Sequence, residues 1–401
     1  MSKLSENRIF FANSTFSFSG ASCDCEVDTV HPSKGVQKHI FRLYPSDQML
    51  HYAYKSGQGL VSSKSKDMAR GREVLPELLT IKDGDVEGVK TFFMKHGFLL
   101  SLDPSEGNSV DAEPLFEFIN RLKATVSLMS TIVETNTDYT KMLALTMYLL
   151  LSPQTSIELP NWENPFSSYE SEMSCYWHNT GKVQERTALD ITEFQEGIFV
   201  NDSIRAPGKR RVIDSELREG AGYEPYDFSK NKDKIEYLFI NAANVGSDCR
   251  LAIDFLYHFF EDIGEIKGWS HTGELALPED ITAEVIKSKL ESDEQLRSGL
   301  LRLAKQTLKT EIEFNLGGII PSYDIETMSP TWRIVDLISG LYLSVFYIQP
   351  NIALYRYCAR PNCGKPFLVR TTATKKMYCS KKCTNAMQQY KSRLKNKQKK
   401  T

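Results

Sequence analysis

The stretch CARPNCGKPFLVRTTATKKMYCSKKC, residues 358–383, holds four of the chain's eight cysteines. Their spacing is Cys358-x4-Cys363-x15-Cys379-x3-Cys383. Two close pairs of thiols with an intervening run of this length form the ligand pattern of a four-thiolate zinc site. So short a segment cannot bury enough apolar surface to hold a fold, so bound Zn²⁺ would stand in for a core. Gly364 follows the first pair, where the backbone must turn tightly around a metal. Phe367–Arg370 reads as a strand, and residues 376–378 as its returning partner. Ser380 reads as an N-cap, which places Cys383 in the first turn of a helix, where the helix N-terminus favours a thiolate. Ligands from a turn, a hairpin and a helix start describe a treble-clef zinc finger. Two disulfides are the competing pairing, disfavoured in a reducing compartment. A catalytic zinc is disfavoured because four thiolates leave no open coordination position.

Charge singles out the same end of the chain. From Leu337 to Thr401 there are 14 Lys and Arg and no Asp or Glu, whereas the preceding residues hold 35 basic against 51 acidic side chains. With Zn²⁺ on four thiolates this tail would still carry about +12. Such an asymmetry points to a polyanion, DNA or alternatively RNA. Arg360, Lys365, Arg370, Lys375 and Lys376 would surround the hairpin. Lys381, Lys382, Asn385, Gln388, Gln389, Lys391, Arg393 and Lys395 would populate the exposed faces of the helix. Lys and Arg neutralise phosphates, and Asn, Gln and Arg read base edges. Met387, Tyr390 and Leu394, spaced as one helical stripe, are expected to pack on the hairpin.

The runs Tyr355-Arg-Tyr-Cys358, Pro361-Asn-Cys363-Gly, Phe367-Leu-Val, Tyr378-Cys-Ser-Lys-Lys-Cys383-Thr-Asn385-Ala and Gln389-Tyr-Lys-Ser-Arg393 resemble the CGNR-type zinc fingers, and more nearly related bacterial proteins whose finger ends in YCSxxC. In place of the name-giving tetrad this chain has Cys383-Thr384-Asn385-Ala386, which keeps the Cys and Asn and lacks the Gly and Arg. The resemblance implies a bacterial-type transcription regulator that binds DNA through the finger, with a helical region leading into it.

The rest of the chain reads as mainly α with a mixed α+β N-terminal region. Three segments are delimited: 1–105 mixed, 106–350 mainly helical, and 351–401 the finger with its basic helix. Short aromatic strands are expected at residues 8–12, 14–19, 39–44 and 50–54, and a loop over 56–72. Helices are expected over 85–97, 111–129, 139–151, 250–266, 281–316 with a break near Ser292, and 331–346 opened by Ser329-Pro330. Residues 153–182 read as a long connection, 186–228 are ambiguous, and Arg205–Arg211 is a basic turn. The apolar run Leu143–Leu151 is about half the ~20 residues a spanning helix needs, so it reads as a core helix. With no apolar segment after Met1, a cytoplasmic protein without a membrane partner is expected.

No P-loop, GxGxxG, HExxH or GxSxG motif occurs, and the reading leans away from an enzyme. Cys175 and His178, and a second cluster of Cys23, Cys25, His31 and His39, are weaker candidates for chemistry. Cys175 and Cys249 read as buried small hydrophobes. Three functional readings follow: a zinc-dependent nucleic-acid-binding regulator whose N-terminal part senses a ligand or partner; an assembly component whose finger is structural and whose apolar segment Ile334–Tyr347 forms a homo-oligomer or protein interface; and an enzyme of unfamiliar type delivered to nucleic acid.

Overall fold

The computed structural model describes residues 16–33, 35–55, 59–66, 71–102, 108–134, 136–153, 155–157, 168–169, 171–179, 228–241, 245–325, 328–350, 352–361, 363–370, 372–373 and 375–398. The strand expected at 8–12 and the basic turn Arg205–Arg211 lie outside them. About 48% of the described residues are helical and 24% lie in strands, so α and β are mixed through the chain. In chain order the elements are β1 (Ser17–Ser33), β2 (Val36–Lys55), β3 (Gly59–Ser63), β4 (Arg72–Glu73), α1 (Val74–Leu78), α2 (Val86–His96), β5 (Asn108–Asp111), α3 (Ala112–Val133), α4 (Tyr139–Leu151), β6 (Thr155–Ser156), β7 (Ser168–Tyr169) and α5 (Glu172–His178). They continue with α6 (Asn231–Asn241), α7 (Ser247–Asp262), β8 (Gly268–Trp269), β9 (Leu275–Ala276), α8 (Ala283–Ser292), α9 (Glu294–Asn315), β10 (Ile319–Asp324), β11 (Ser329–Ile334), α10 (Leu337–Phe346), β12 (Ala353–Tyr357), β13 (Pro366–Arg370) and α11 (Lys381–Gln398).

Contacts divide the chain into two compact units, each discontinuous in sequence: Met1–Leu122 with Ser156–Ser167 and Ile312–Thr401, and Lys123–Thr155 with Ser168–Glu311. The first is built on an antiparallel sheet in which β1 and β3 flank the long β2, β4 extends the β3 edge, and β5 pairs with residues 40–43 of β2. Gly59–Ser63, inside the expected loop over 56–72, is a buried strand. Glycine and serine hid it, but Leu60 and Val61 supply its apolar faces.

Helix α2 lies on this sheet and fulfils its expected span. Asp85 accepts the Gly88 amide at 2.9 Å as N-cap, and Val89, Phe92, Phe93 and His96 face inward. Gly97 ends the helix at φ +81°. A Cβ there would meet the Tyr52 hydroxyl at 2.9 Å and the Ala21 carbonyl at 3.1 Å, so both conformation and space require glycine. His96 is fully buried, with its Nδ1 2.7 Å from Ser62 Oγ and its Nε2 2.9 Å from a Glu77 carboxylate oxygen.

Residues 329–334, expected to open a helix, instead form β11, paired antiparallel with β10. Pro330 begins a strand of a two-stranded ribbon, where its missing N–H is tolerated. The helix starts later, at Leu337, capped by Asp336, whose carboxylate accepts the Ser339 amide at 2.9 Å. Leu337 through Val345 are all buried, whereas Val335 and Phe346, within the same apolar run, are exposed.

The second unit is helical. Helix α4 is apolar on every side and almost wholly buried, as a central core helix must be. Around it pack residues of α5, α6, α7, α8 and α9, with Phe239 stacked on Tyr257 at 3.7 Å and Trp177 edge-on to Trp269 at 6.1 Å. The expected break in the long C-terminal helix falls at Asp293, which ends α8 and whose carboxylate caps α9 by accepting the Leu296 amide at 3.0 Å. No helix among the described residues is long and apolar enough to cross a membrane.

Candidate metal centre

The four sulfurs of Cys358, Cys363, Cys379 and Cys383 lie within 4.8 Å of one another. Cys363 and Cys379 are 3.7 Å apart, and Cys379 and Cys383 3.6 Å. A disulfide would require about 2.05 Å, and all four are free thiols. A tetrahedron of sulfurs at about 2.3 Å from one ion has edges of about 3.8 Å. The sulfur positions therefore match a tetrahedral tetrathiolate, and Cys358, Cys363, Cys379 and Cys383 can hold a metal ion. A soft, four-sulfur donor set suits zinc or iron in preference to calcium or magnesium.

The local chain explains this convergence. β12 and β13 pair in register from Ala353↔Arg370 to Tyr357↔Pro366, and the connection between them carries Cys358 and Cys363. The Cys358 amide donates to the Lys365 carbonyl at 3.0 Å, closing the neck of that connection. The Cys363 amide donates to the Arg360 carbonyl at 2.9 Å, and Gly364 follows at φ +53°, a conformation costly for any residue with a Cβ. The partner of Pro366–Arg370 is thus Ala353–Tyr357, and residues 376–378 form no strand. One backbone bond, from the Ala359 amide to the Met377 carbonyl at 2.9 Å, ties the returning chain to the first ligand pair.

Ser380 caps α11 as expected: its hydroxyl accepts the Cys383 amide at 3.3 Å, and Cys383 sits in the first turn. The Ser380 hydrogen bond and then the Arg360 guanidinium, 3.8 Å from the sulfur, pull the Cys383 thiol below its ordinary value. Burial, followed by hydrogen bonding with the Cys383, Cys363 and Cys358 thiols, pushes Cys379 up. The two neighbours are driven apart because several thiolates in one small space repel, and a central dication would favour ionisation of all four.

Lys381 and Lys382 occupy the first turn of α11, at the positive end of its dipole. Cations there are unfavourable unless an anion sits nearby, and a tetrathiolate around a dication carries −2. Asn385, Gln388, Gln389 and Lys391 are exposed along the same helix, which also carries Arg393 and Lys395. Arg370, Lys375 and Lys376 are exposed as well, with Lys376 5.5 Å over the Phe367 ring. Lys365 lies 3.9 Å from Glu73, which offsets part of its charge. The apolar floor consists of buried Phe367 and Val369 with the ligand sulfurs, and partly buried Ala373 and Tyr378 pack against it. Tyr390 is 55% exposed, so the expected packing stripe does not extend that far along α11.

The other candidates do not assemble. Among the described residues only the C-terminal quartet gathers as metal ligands. Cys23 and Cys25 are buried in β1, where burial raises both thiols, while His39 pairs with Thr29 at 3.1 Å. Cys175 is exposed, not buried as expected, and His178 Nε2 faces the Leu151 carbonyl at 3.0 Å instead of the thiol. The Ser62–His96–Glu77 chain was missed because its members come from a strand and two helices. Only the position of His96 on the inner face of α2 hinted at it. Compared with known protein families, with curated proteins and with solved structures, the chain finds no match in any of the three.

Proposed function

We propose that residues 351–401 form a zinc finger of the treble-clef kind and that the protein binds nucleic acid, DNA in the first instance, as a transcription regulator. The observation that carries this reading is the joint placement of four converging thiols and an 18-residue helix whose first turn holds both a thiol and two lysines. A helix of that length extends about 27 Å, and a major groove about 12 Å wide admits it. Lys381, Asn385 and Gln388 share one helical face by their spacing, pairing a phosphate-neutralising cation with two amides able to read base edges. The absence of acidic residues after Asp336 supports a polyanionic partner. The likeness to the CGNR-type fingers agrees with a regulator, and the remainder of the chain would then receive the signal.

The test is fluorescence anisotropy of labelled duplex DNA and single-stranded RNA with the zinc-loaded full-length protein across a salt series. Phosphate contacts make affinity fall steeply with salt. Replacing Lys381 and Lys382 by Gln is expected to weaken binding to all sequences and to lower the salt slope by about one per lysine. Asn385→Ala should instead alter sequence preference. Absent or salt-insensitive binding would sink this reading in favour of a structural finger that serves a protein assembly.

A further inference from the structure

The ribbon of β10 and β11 has one face made wholly of apolar residues. Its register pairs Ile319 with Ile334, Pro321 with Trp332 and Tyr323 with Pro330. Successive residues of a strand point to opposite faces, so these six positions share one. The intervening positions carry both charged residues of the two strands, Asp324 and Arg333. Such alternation is the mark of a sheet with one face covered. Beyond its base, however, the apolar face is open to solvent. Ile334 is buried, but Trp332 is 39% exposed and Tyr323 54%. At the tip, Ile325 and Met328 are 80% and 70% exposed. A two-stranded hairpin is only marginally stable in water unless it packs against something.

The face is also held in shape. The Tyr323 hydroxyl donates to the Met328 carbonyl at 2.8 Å, which satisfies its polar end and fixes the ring at the tip. Met328 sits at φ +51°, a conformation that is costly for a residue with a Cβ and that concentrates at binding sites. Each strand contains a proline, Pro321 or Pro330, which removes a backbone donor. Prolines guard strand edges against pairing with another strand. A partner therefore meets this ribbon on its face and not along its edge.

The register identifies that partner. Each aromatic residue stands across from a proline, Trp332 from Pro321 and Tyr323 from Pro330. Consider a two-fold axis in the plane between two such faces, running along the strands or across them. Either axis sets each aromatic position of one copy over a proline position of the other. The face is thus complementary to itself, as a two-fold contact demands. No charged residue lies in it, so two copies meet without like charges opposed. The area agrees. At their observed exposures Tyr323, Trp332, Ile325 and Met328 present on the order of 500 Å² of apolar surface. Two copies would bury about 1,000 Å², the lower bound for a specific interface.

We propose that the apolar face of the β10–β11 ribbon binds the same face of a second copy of this chain, forming a two-fold dimer. An interface this small places its dissociation in the micromolar range. The contact requires neither metal nor nucleic acid.

The experiment is sedimentation velocity of the full-length, metal-loaded protein, freed of nucleic acid, from about 0.5 to about 100 µM. The mass is expected to rise from that of one chain to that of two. The dimer should persist in about 1 M sodium chloride, where charge contacts are screened. Tyr323→Ser and Trp332→Ser should each weaken it about tenfold or more. Ile320→Ser, on the opposite face of the same ribbon, should change it less than twofold. Urea unfolding at a concentration where the wild type is monomeric checks that each variant is folded. A single-chain mass at every concentration, a dimer untouched by both aromatic substitutions, or equal weakening by Ile320→Ser would each overturn the proposal.

Discussion

The Ser380 hydroxyl lies 3.3 Å from the amide nitrogen of Cys383, so the residue that caps the last helix also fixes the last thiol of the quartet. Helix initiation and ligand placement are therefore one event. Loss of an N-cap costs about 1 kcal/mol. Ser380→Ala should accordingly lower metal affinity about fivefold by that free energy, read by competition with a chromophoric chelator. It should also fray the start of α11, visible as faster amide exchange at Thr384, whose amide bonds the Ser380 carbonyl at 3.0 Å. An affinity unchanged within twofold would show that the ligand is placed by the chain around it and not by the cap.

Removing ligands is a stronger perturbation. Cys379→Ser with Cys383→Ser takes two of four sulfurs from a site whose apolar floor is little more than Phe367 and Val369. Metal content should fall from one ion per chain to none by elemental analysis. The segment should lose protection from proteolysis, because coordination and folding are coupled in so small a module. Full retention of metal would remove the site from consideration.

The cap at Ser380, the break beside Ser292 and the span of α2 could be read from the sequence because each depends on contacts within one turn. The cysteine quartet was readable for a related reason, since metal ligands impose a spacing. What failed was partner choice across distance. Phe367–Arg370 found its partner upstream in Ala353–Tyr357, with two ligands in the connection, whereas local hairpin logic looked downstream. Residues 329–334 alternate as a strand only because β10 lies beside them, and Pro330 signals a helix start equally well in isolation. The unit shared by the N-terminal sheet and the cysteine segment rests on contacts such as Lys365 with Glu73, which no window of sequence contains.

Gly97 marks a second long-range constraint. Gly97→Ala would place a methyl group against the Tyr52 hydroxyl and the Ala21 carbonyl at a backbone angle that alanine avoids. The Tyr52 hydroxyl donates to the His96 carbonyl at 2.6 Å, so the clash falls on a bond joining β2 to the end of α2. Strain of this kind costs about 1–3 kcal/mol. The midpoint of denaturant unfolding should fall accordingly with an unchanged slope, whereas Gly84→Ala, at a positive φ but in open space, should cost less.

His96 makes stability depend on pH. Burial lowers its pKa from the ordinary value of 6.5, although Glu77 works in the opposite direction. The neutral ring is fully satisfied when Nε2–H donates to Glu77 and Nδ1 accepts from the Ser62 hydroxyl. A proton therefore binds the unfolded chain more readily than the folded one. Stability is unaffected well above pH 6.5, then declines as pH falls below it, by up to about 1.4 kcal/mol per pH unit while only the unfolded form is protonated. Burial raises the Glu77 carboxyl, but hydrogen bonds from Lys95 and His96 more than offset this and hold it below its usual value of 4.5. Its contribution is lost at lower pH, as acidity passes through that depressed value. The two windows separate on a titration of unfolding free energy against pH. His96→Asn should be less stable throughout and should flatten the window just below pH 6.5 while leaving the more acidic one. A variant that keeps the full slope in the upper window would assign that proton to another group.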